Sequence, residues 1–318
     1  MPRFVLSKKI LNAFFKRVLF FSLLMSGFTL HATELTMLAI VSDRSAASIV
    51  SGAHQFLSAQ SLHNQSLLNT ASKNKNNITI RSVSQLNLLS NNQIQQLINT
   101  HQALVIAGVF GDSVERLLGL KYQPQQTRLI LNADRRLMVL HQDAQQGKIA
   151  NLSKQQLQIL MASLDKNNYV QALKAKQKQW PQFSYWLQAR AYWQNRGKEN
   201  FGYLFEWLKV ISQPLQTDSN INANNNLLAK APKILPLQPI RFYWQDQLVS
   251  TQKLKTTIAN NTNKPIVFII DHETGDQPGQ WQLHQQLCEA QWQCISVLAG
   301  WGQASEQAVE VIRSLQAD

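Results

Sequence analysis

Leu35-Thr36-Met37-Leu38-Ala39-Ile40-Val41, followed at once by Ser42-Asp43-Arg44-Ser45, decides the fold class. The first seven residues form a continuous apolar run with β-branched content, the signature of a buried strand. Ser42 to Ser45 supply a turn and a helix cap. Ala46, Ile49, Val50, Ala53, Phe56 and Leu57 then recur at helical spacing and predict an amphipathic helix.

The pattern repeats outward from this β-α unit. After a polar, loop-like stretch from Leu62 to Asn77, Ile78 to Val83 reads as a second strand. Asn91 to Thr100 carries Ile94, Leu97 and Ile98 and reads as a short helix. Ala103 to Ala107 is a third strand, Gly108 and Gly111 bracket its exit, and Asp112 or Ser113 caps a helix running to Leu120. Arg128 to Leu131 and Arg136 to Leu140 are weaker strand candidates. This alternation predicts a parallel sheet with helices on both faces, spanning residues 33–145. It contains neither a G-x-G-x-x-G nor a Walker motif, so the nucleotide fingerprints are missing.

Residues 146–212 read as a helical middle segment. A helix capped by Asn151 or Ser153 comes first, then a long stretch from Tyr169 to Trp193 with a break at Pro181, then a stripe of Phe201, Leu204, Phe205 and Leu208. Residues 213–239 hold four prolines and the tract Asn224-Asn225-Asn226, and read as a linker. Residues 240–318 begin a second α/β unit: strands at Ile240 to Trp244, Pro265 to Ile270 and Cys294 to Ala299, helices at Gln280 to Trp292 and along Ala304, Ala308, Val311, Ile312 and Leu315. With two or three strands this unit is incomplete. The chain as a whole is expected to be α/β: a parallel-sheet N-terminal domain, a helical segment and a partial second unit.

Residues 1–32 have the three parts of a secretory signal: Arg3, Lys8, Lys9, Lys16 and Arg17 without an acid, an apolar run from Val18 to Leu30, and Ala32 before the cut. The apolar run is short of the about 20 residues a membrane span needs. The expectation is export to the periplasm or cell envelope and no integral span after cleavage. Removing the leader takes the net charge from +13 to +8. The remaining lysines, such as Lys174, Lys176 and Lys178, are spread along helix faces without interleaved aromatics, which argues against a nucleic-acid partner. An oxidising compartment permits a bridge between Cys288 and Cys294, and two buried thiols are the alternative.

Two sets of residues stand where strands end. Asp271-His272-Glu273 follows a buried strand, where open α/β sheets collect ligands, and the three side chains could bind a divalent metal or move protons. His284 is the nearest further candidate, and the alternative is a polar loop with a helix cap. At the equivalent point of the first domain, backbone N–H groups around Ser42 to Ser45, with Arg44, could hold an anion, against ordinary capping. His54, His63, His101 and His141 form no motif, and G-x-S-x-G, H-E-x-x-H and C-x-x-C are all absent.

The most distinctive segment runs from Ala191 to Asn200. It reads as a helix end at Gly197 and a new helix from Glu199, with Tyr192 and Trp193 either core or a flat apolar platform. Tyr192, Gly197, Glu199 and Asn200, followed by Leu204, Phe205 and Leu208, resemble the Y-x-x-x-G-G-x-E-N pattern of the cobaltochelatase large subunit (CobN) and the related magnesium chelatase H subunit. Arg196 and Lys198 depart from that pattern where it has its second Gly and its Pro. The Pro232 to Pro239 stretch, Ile240 to Tyr243 and the Pro265 to Ile270 block agree with the family in order. The resemblance covers most of residues 100–315 and implies a piece of a longer metal chelatase, inactive in isolation, that handles a tetrapyrrole or its metal in the envelope. It implies a tetrapyrrole or divalent metal as ligand and a further chelatase polypeptide completing the C-terminal unit. No catalytic residue carries over. The ligand-binding candidates are Tyr192, Trp193, Arg196 and Arg44, with Arg190 nearby. The alternative is a periplasmic small-ligand-binding protein of two α/β lobes, against which the short C-terminal lobe argues.

Protein recovered from the envelope should begin at Thr33 or within a few residues of it. An N-terminal sequence that still contains Lys8 and Lys9 would overturn the leader assignment.

Overall fold

The computed structural model describes residues 35–65, 77–143, 149–162, 169–213, 227–236, 240–245, 247–260, 265–272, 286, 288, 292–299 and 303–316. The leader assigned to residues 1–32 lies outside them. In chain order, the first sheet region comprises β1 (Thr36–Val41), α1 (Asp43–Gln65), β2 (Asn77–Ser82), α2 (Val83–Asn87), α3 (Asn91–Asn99), β3 (Ala103–Ala107), α4 (Ser113–Leu118) and β4 (Thr127–Leu131). The helical region adds α5 (Lys154–Ala162), α6 (Tyr169–Gln179), α7 (Ser184–Asn195) and α8 (Gly197–Ser212). Beyond it come β5 (Ile240–Trp244), β6 (Gln247–Val249), α9 (Thr251–Ala259), β7 (Ile266–His272), β8 (Gln293–Ala299) and α10 (Gln303–Gln316).

The first sheet is fully parallel, in the order β2-β1-β3-β4. Its central strands are uncharged because both faces are covered: every residue from Met37 to Val41 and from Ala103 to Ala107 is buried. The connecting helices start where the side chains can satisfy their free N–H groups. Ser82 with Gln85, and Ser90 with Gln93, form reciprocal capping boxes at α2 and α3. Arg136 to Leu140, whose apolar run suggested a strand, belongs instead to a 3₁₀ helix from Arg135 to Leu140. Asp134 caps it by accepting from the Arg136 N–H, which ends β4 before a strand can resume.

The helical segment shares its core with the first sheet. Trp186 on α7 donates its indole N–H to the Ile130 carbonyl on β4 at 2.8 Å. α1 and α8 run side by side in the same direction: Gly52 abuts Phe201 and Gly202, and one turn on the Phe56 and Phe205 rings are 6.3 Å apart. The break expected at Pro181 is present, as a 3₁₀ turn between α6 and α7. Part of the expected linker also belongs to this core. Ile234 is buried, and Leu227, Leu228 and Ala231 pack against the same cluster.

The second sheet has four strands in the order β6-β5-β8-β7, so the expected two or three were an undercount. β5 is antiparallel to β6 and β8, and β7 is parallel to β8. Among the described residues β7 pairs with β8 alone. The strand missed, β6, is three residues long and follows a two-residue turn in which Gln245 takes φ 48°. It is too short for a period-2 pattern and lacks the Asn-Gly or Asp-Gly signal of such turns. This sheet has its own core, built from Phe242, Leu254, Ile295, Val297, Ala308 and Ile312. Most of the helix expected at Gln280 to Trp292 lies outside the described residues.

A Cβ at Gly52 would lie 2.4 Å from the Phe201 Cβ and 2.9 Å from the Gly202 nitrogen, and backbone cannot swing away as a side-chain tip can. Gly52→Val should therefore lower the free energy of unfolding by at least about 2 kcal/mol, as overpacked cores do. Denaturant titration checks this; an unchanged midpoint would show that the two helices separate freely.

Candidate functional site

The order β2-β1-β3-β4 reverses direction between β1 and β3, and the crevice outside their carboxyl ends is where open α/β sheets take ligands. Short backbone bonds build it. Ser42 N–H donates to the Ala107 carbonyl at 3.1 Å, and Gly108 N–H reaches the Leu131 and Asn132 carbonyls, both at 3.1 Å. Gly108 has φ +67°, and a Cβ there would come within 3.2 Å of the Ser42 side chain. The crevice thus calls for glycine at this position for its conformation, and a Cβ would also press on Ser42. Ser42 Oγ and Ser45 Oγ are 3.0 Å apart.

Asp43 opens α1 and accepts from the Ser84 N–H at 3.1 Å. The hydrogen bond from Ser82 above all, with those from Ser84, holds its carboxyl below the usual carboxylate range against the opposing effect of burial. Asp43 therefore brings its own negative charge to the helix N-terminus, which favours capping over capture of an external anion. Arg44 is exposed beside it. Phe110, on the loop leaving β3, is 57% exposed and stands at the same end of the sheet.

The Tyr192 to Asn200 segment occupies a different place. α7 ends at Asn195, Arg196 takes φ 49° and Gly197 φ 76°, and α8 begins at once. Tyr192 is fully buried and donates its hydroxyl to the Pro232 carbonyl at 2.6 Å. Burial pushes this phenol far up, so it stays protonated as a donor. Asn200 binds the backbone of Leu235 with both ends of its amide, donating to the carbonyl at 2.7 Å and accepting from the N–H at 3.0 Å. Trp193 packs on Phe201, ring centroids 5.5 Å apart. The platform suggested for Tyr192 and Trp193 is thus interior packing. The segment is a staple that ties the chain after Ser212 back onto the helical layer. Arg196 lies in the turn between the helices and Arg44 on α1, and neither belongs to an open aromatic wall with Tyr192 and Trp193.

Asp271 and His272 are the last two residues of β7, and Glu273 and His284 lie outside the described residues. Among the described residues no group of three or more His, Cys, Asp or Glu side chains could hold a metal ion. Cys288 and Cys294 form a disulfide, with Cα atoms 6.0 Å apart, which resolves the alternative left open by their spacing. Two histidines are structural. His101 binds the Leu97 carbonyl and the Thr79 hydroxyl, and burial pushes its imidazole below its ordinary pKa. His141 lies wholly buried, 3.3 Å from Asp143 and edge-on to Trp186. Sequence spacing gave no sign of that pair, since nothing in its pattern distinguishes it from a surface loop.

No protein-family model matches the chain, and no curated protein matches it. Among solved structures, the chain is similar to the catalytic subunit of cobaltochelatase from Mycobacterium tuberculosis, with a TM-score of 0.38 and 12% sequence identity. The likeness covers 84% of this chain and 16% of that subunit. At that score and identity it does not establish a shared family. Among the described residues no helix is long and apolar enough to cross a membrane.

Removing the Asn200 amide leaves the Leu235 N–H and C=O without their partners. Asn200→Ala should cost about 1–3 kcal/mol of stability, at about 0.5–1.5 kcal/mol for each of the two lost hydrogen bonds. Hydrogen exchange at Leu235 should accelerate while that of β1 stays slow. Unchanged protection at Leu235 would remove the staple from the account.

Proposed function

We propose that this chain is a chelatase large-subunit-like module of the cell envelope that binds a tetrapyrrole or its metal and does not insert the metal alone. The observation that carries the reading is the staple. Of the residues by which the sequence resembles the chelatase large subunits, Tyr192 and Asn200 bind the later chain at Pro232 and Leu235, and Gly197 makes the turn that sets α8 after α7. The motif is architectural, so the resemblance speaks to how the module is built. The disulfide supports an oxidising compartment and hence export.

A tetrapyrrole is a flat apolar ring with peripheral carboxylates, and its site needs an apolar wall and a few cations. With Tyr192 and Trp193 inside, the wall falls to the carboxyl end of the first sheet, where Phe110 offers an exposed ring and Arg44 a cation. A further chelatase polypeptide would complete the module along β7, whose second edge has no strand among the described residues.

The test is an absorbance titration of the mature protein with haem and with cobalt-free corrin. Saturable binding in the tens of micromolar, a weak site by affinity arithmetic, is expected. Phe110→Ala and Arg44→Gln should each weaken it without lowering the melting temperature. No binding at that concentration would sink the reading, and metal insertion by the purified chain alone would refute the view that it only binds.

A further inference from the structure

Beyond the carboxyl end of β4 lies a recess of about 140 Å³, open to solvent. Ala133, Met138 and Leu157 form its walls, the fully buried Trp186 its floor, and Asn132, Arg135 and Gln158, the last neutral, its polar lip. It is far smaller than the roughly 300–1,000 Å³ of pockets for drug-sized ligands, so a tetrapyrrole cannot enter it. It has about the volume of an apolar cavity that accepts a single benzene ring.

Its lip is firmly built. Asn132 turns with φ 45°, and its carbonyl accepts from Gly108 N–H. Asp134 N–H donates to the Val109 carbonyl at 2.8 Å. The two adjacent arginines of this turn differ in their engagements. Arg136 is tied to Glu115 and Asp134 in ion pairs. The Arg135 side chain makes no hydrogen bond or ion pair among the described residues, is exposed, and borders the recess. The indole N–H of Trp186 is already used by the Ile130 carbonyl, so the floor offers carbon alone. An apolar socket with one unengaged guanidinium at its mouth fits one chemistry: a ring or branched alkyl group below, a carboxylate above.

We propose that this recess is a binding site for a small monocarboxylate with an apolar body of about one six-membered ring. The body displaces water from Ala133, Met138 and Leu157, and the carboxylate pairs with Arg135. This site is separate from the tetrapyrrole reading and does not depend on it.

Ligand-observed NMR on the mature protein tests it with three probes: benzoate, benzyl alcohol and acetate. Benzoate should bind with a Kd of about 1 mM, the affinity expected of so few atoms. Benzyl alcohol keeps the body without the charge and should bind about tenfold more weakly. Acetate keeps the charge without the body and should not bind detectably. Arg135→Gln should bring benzoate down to the level of benzyl alcohol with the melting temperature unchanged. Ala133→Leu should fill the recess and abolish both, and its melting curve shows whether it still folds. If it does not fold, Arg135→Gln alone decides. Equal binding of benzoate and benzyl alcohol in the wild type, a benzoate affinity indifferent to Arg135→Gln, or no binding of benzoate at 10-fold its expected Kd would each overturn the proposal.

Discussion

The backbone contact between α1 and α8 at Gly52 and Gly202 is the constraint on which the rest of the molecule depends. Neither residue has a Cβ, so two long helices approach until main chain meets main chain. That approach lays α8 along α1, which itself covers β1 and β2. It thereby converts a four-stranded sheet and a run of helices into one body with one core. Aromatic side chains then fill what the close approach leaves at its margins: Phe56 against Phe205, Trp193 against Phe201, and Tyr185 edge-on to Trp207 at 5.4 Å. The Trp207 indole N–H is spent on the Tyr185 carbonyl, so the largest side chains are satisfied as well as packed.

Much of this was legible in the sequence because it is periodic. β3, Met37 to Val41 of β1 and Ile266 to Ile270 of β7 are unbroken apolar runs, and the helices repeat every three or four residues. The union of the sheet with the helical segment was not legible. Nothing local distinguishes a helix that covers a neighbouring sheet from one that belongs to a separate domain. The glycines that decide it, Gly52 and Gly202, are 150 positions apart in the chain. The Arg136 to Leu140 stretch failed for the opposite reason. Its side chains favour a strand, but Asp134 satisfies the next backbone N–H locally and a 3₁₀ turn follows.

The candidate sites divide in the same way. The crevice at β1 and β3 follows from strand order and from glycine at 108; the sequence signalled the glycine and the parallel sheet, and the order came only with the fold. Tyr192 and Asn200 attracted attention through their spacing. Spacing does not say whether an aromatic faces a ligand or a proline carbonyl forty residues on. The apolar recess beside Arg135 had no sequence signal, because its walls come from the 3₁₀ turn, α5 and α7, three elements with no shared motif. Its defining property, one arginine engaged and its neighbour not, exists only in three dimensions.

The Asn200 clasp on Leu235 closes a loop whose ends are 35 residues apart in sequence. Once both ends are fixed, lengthening the intervening chain costs entropy only as the logarithm of its length, about 0.6 kcal/mol for each doubling. Ile234, Leu227, Leu228 and Ala231 pack just ahead of the clasp and fix its far end against the core. In evolutionary terms this makes the stretch after Ser212 a port: a place where whole segments could be gained or lost while the layer beneath and the unit beyond keep their positions.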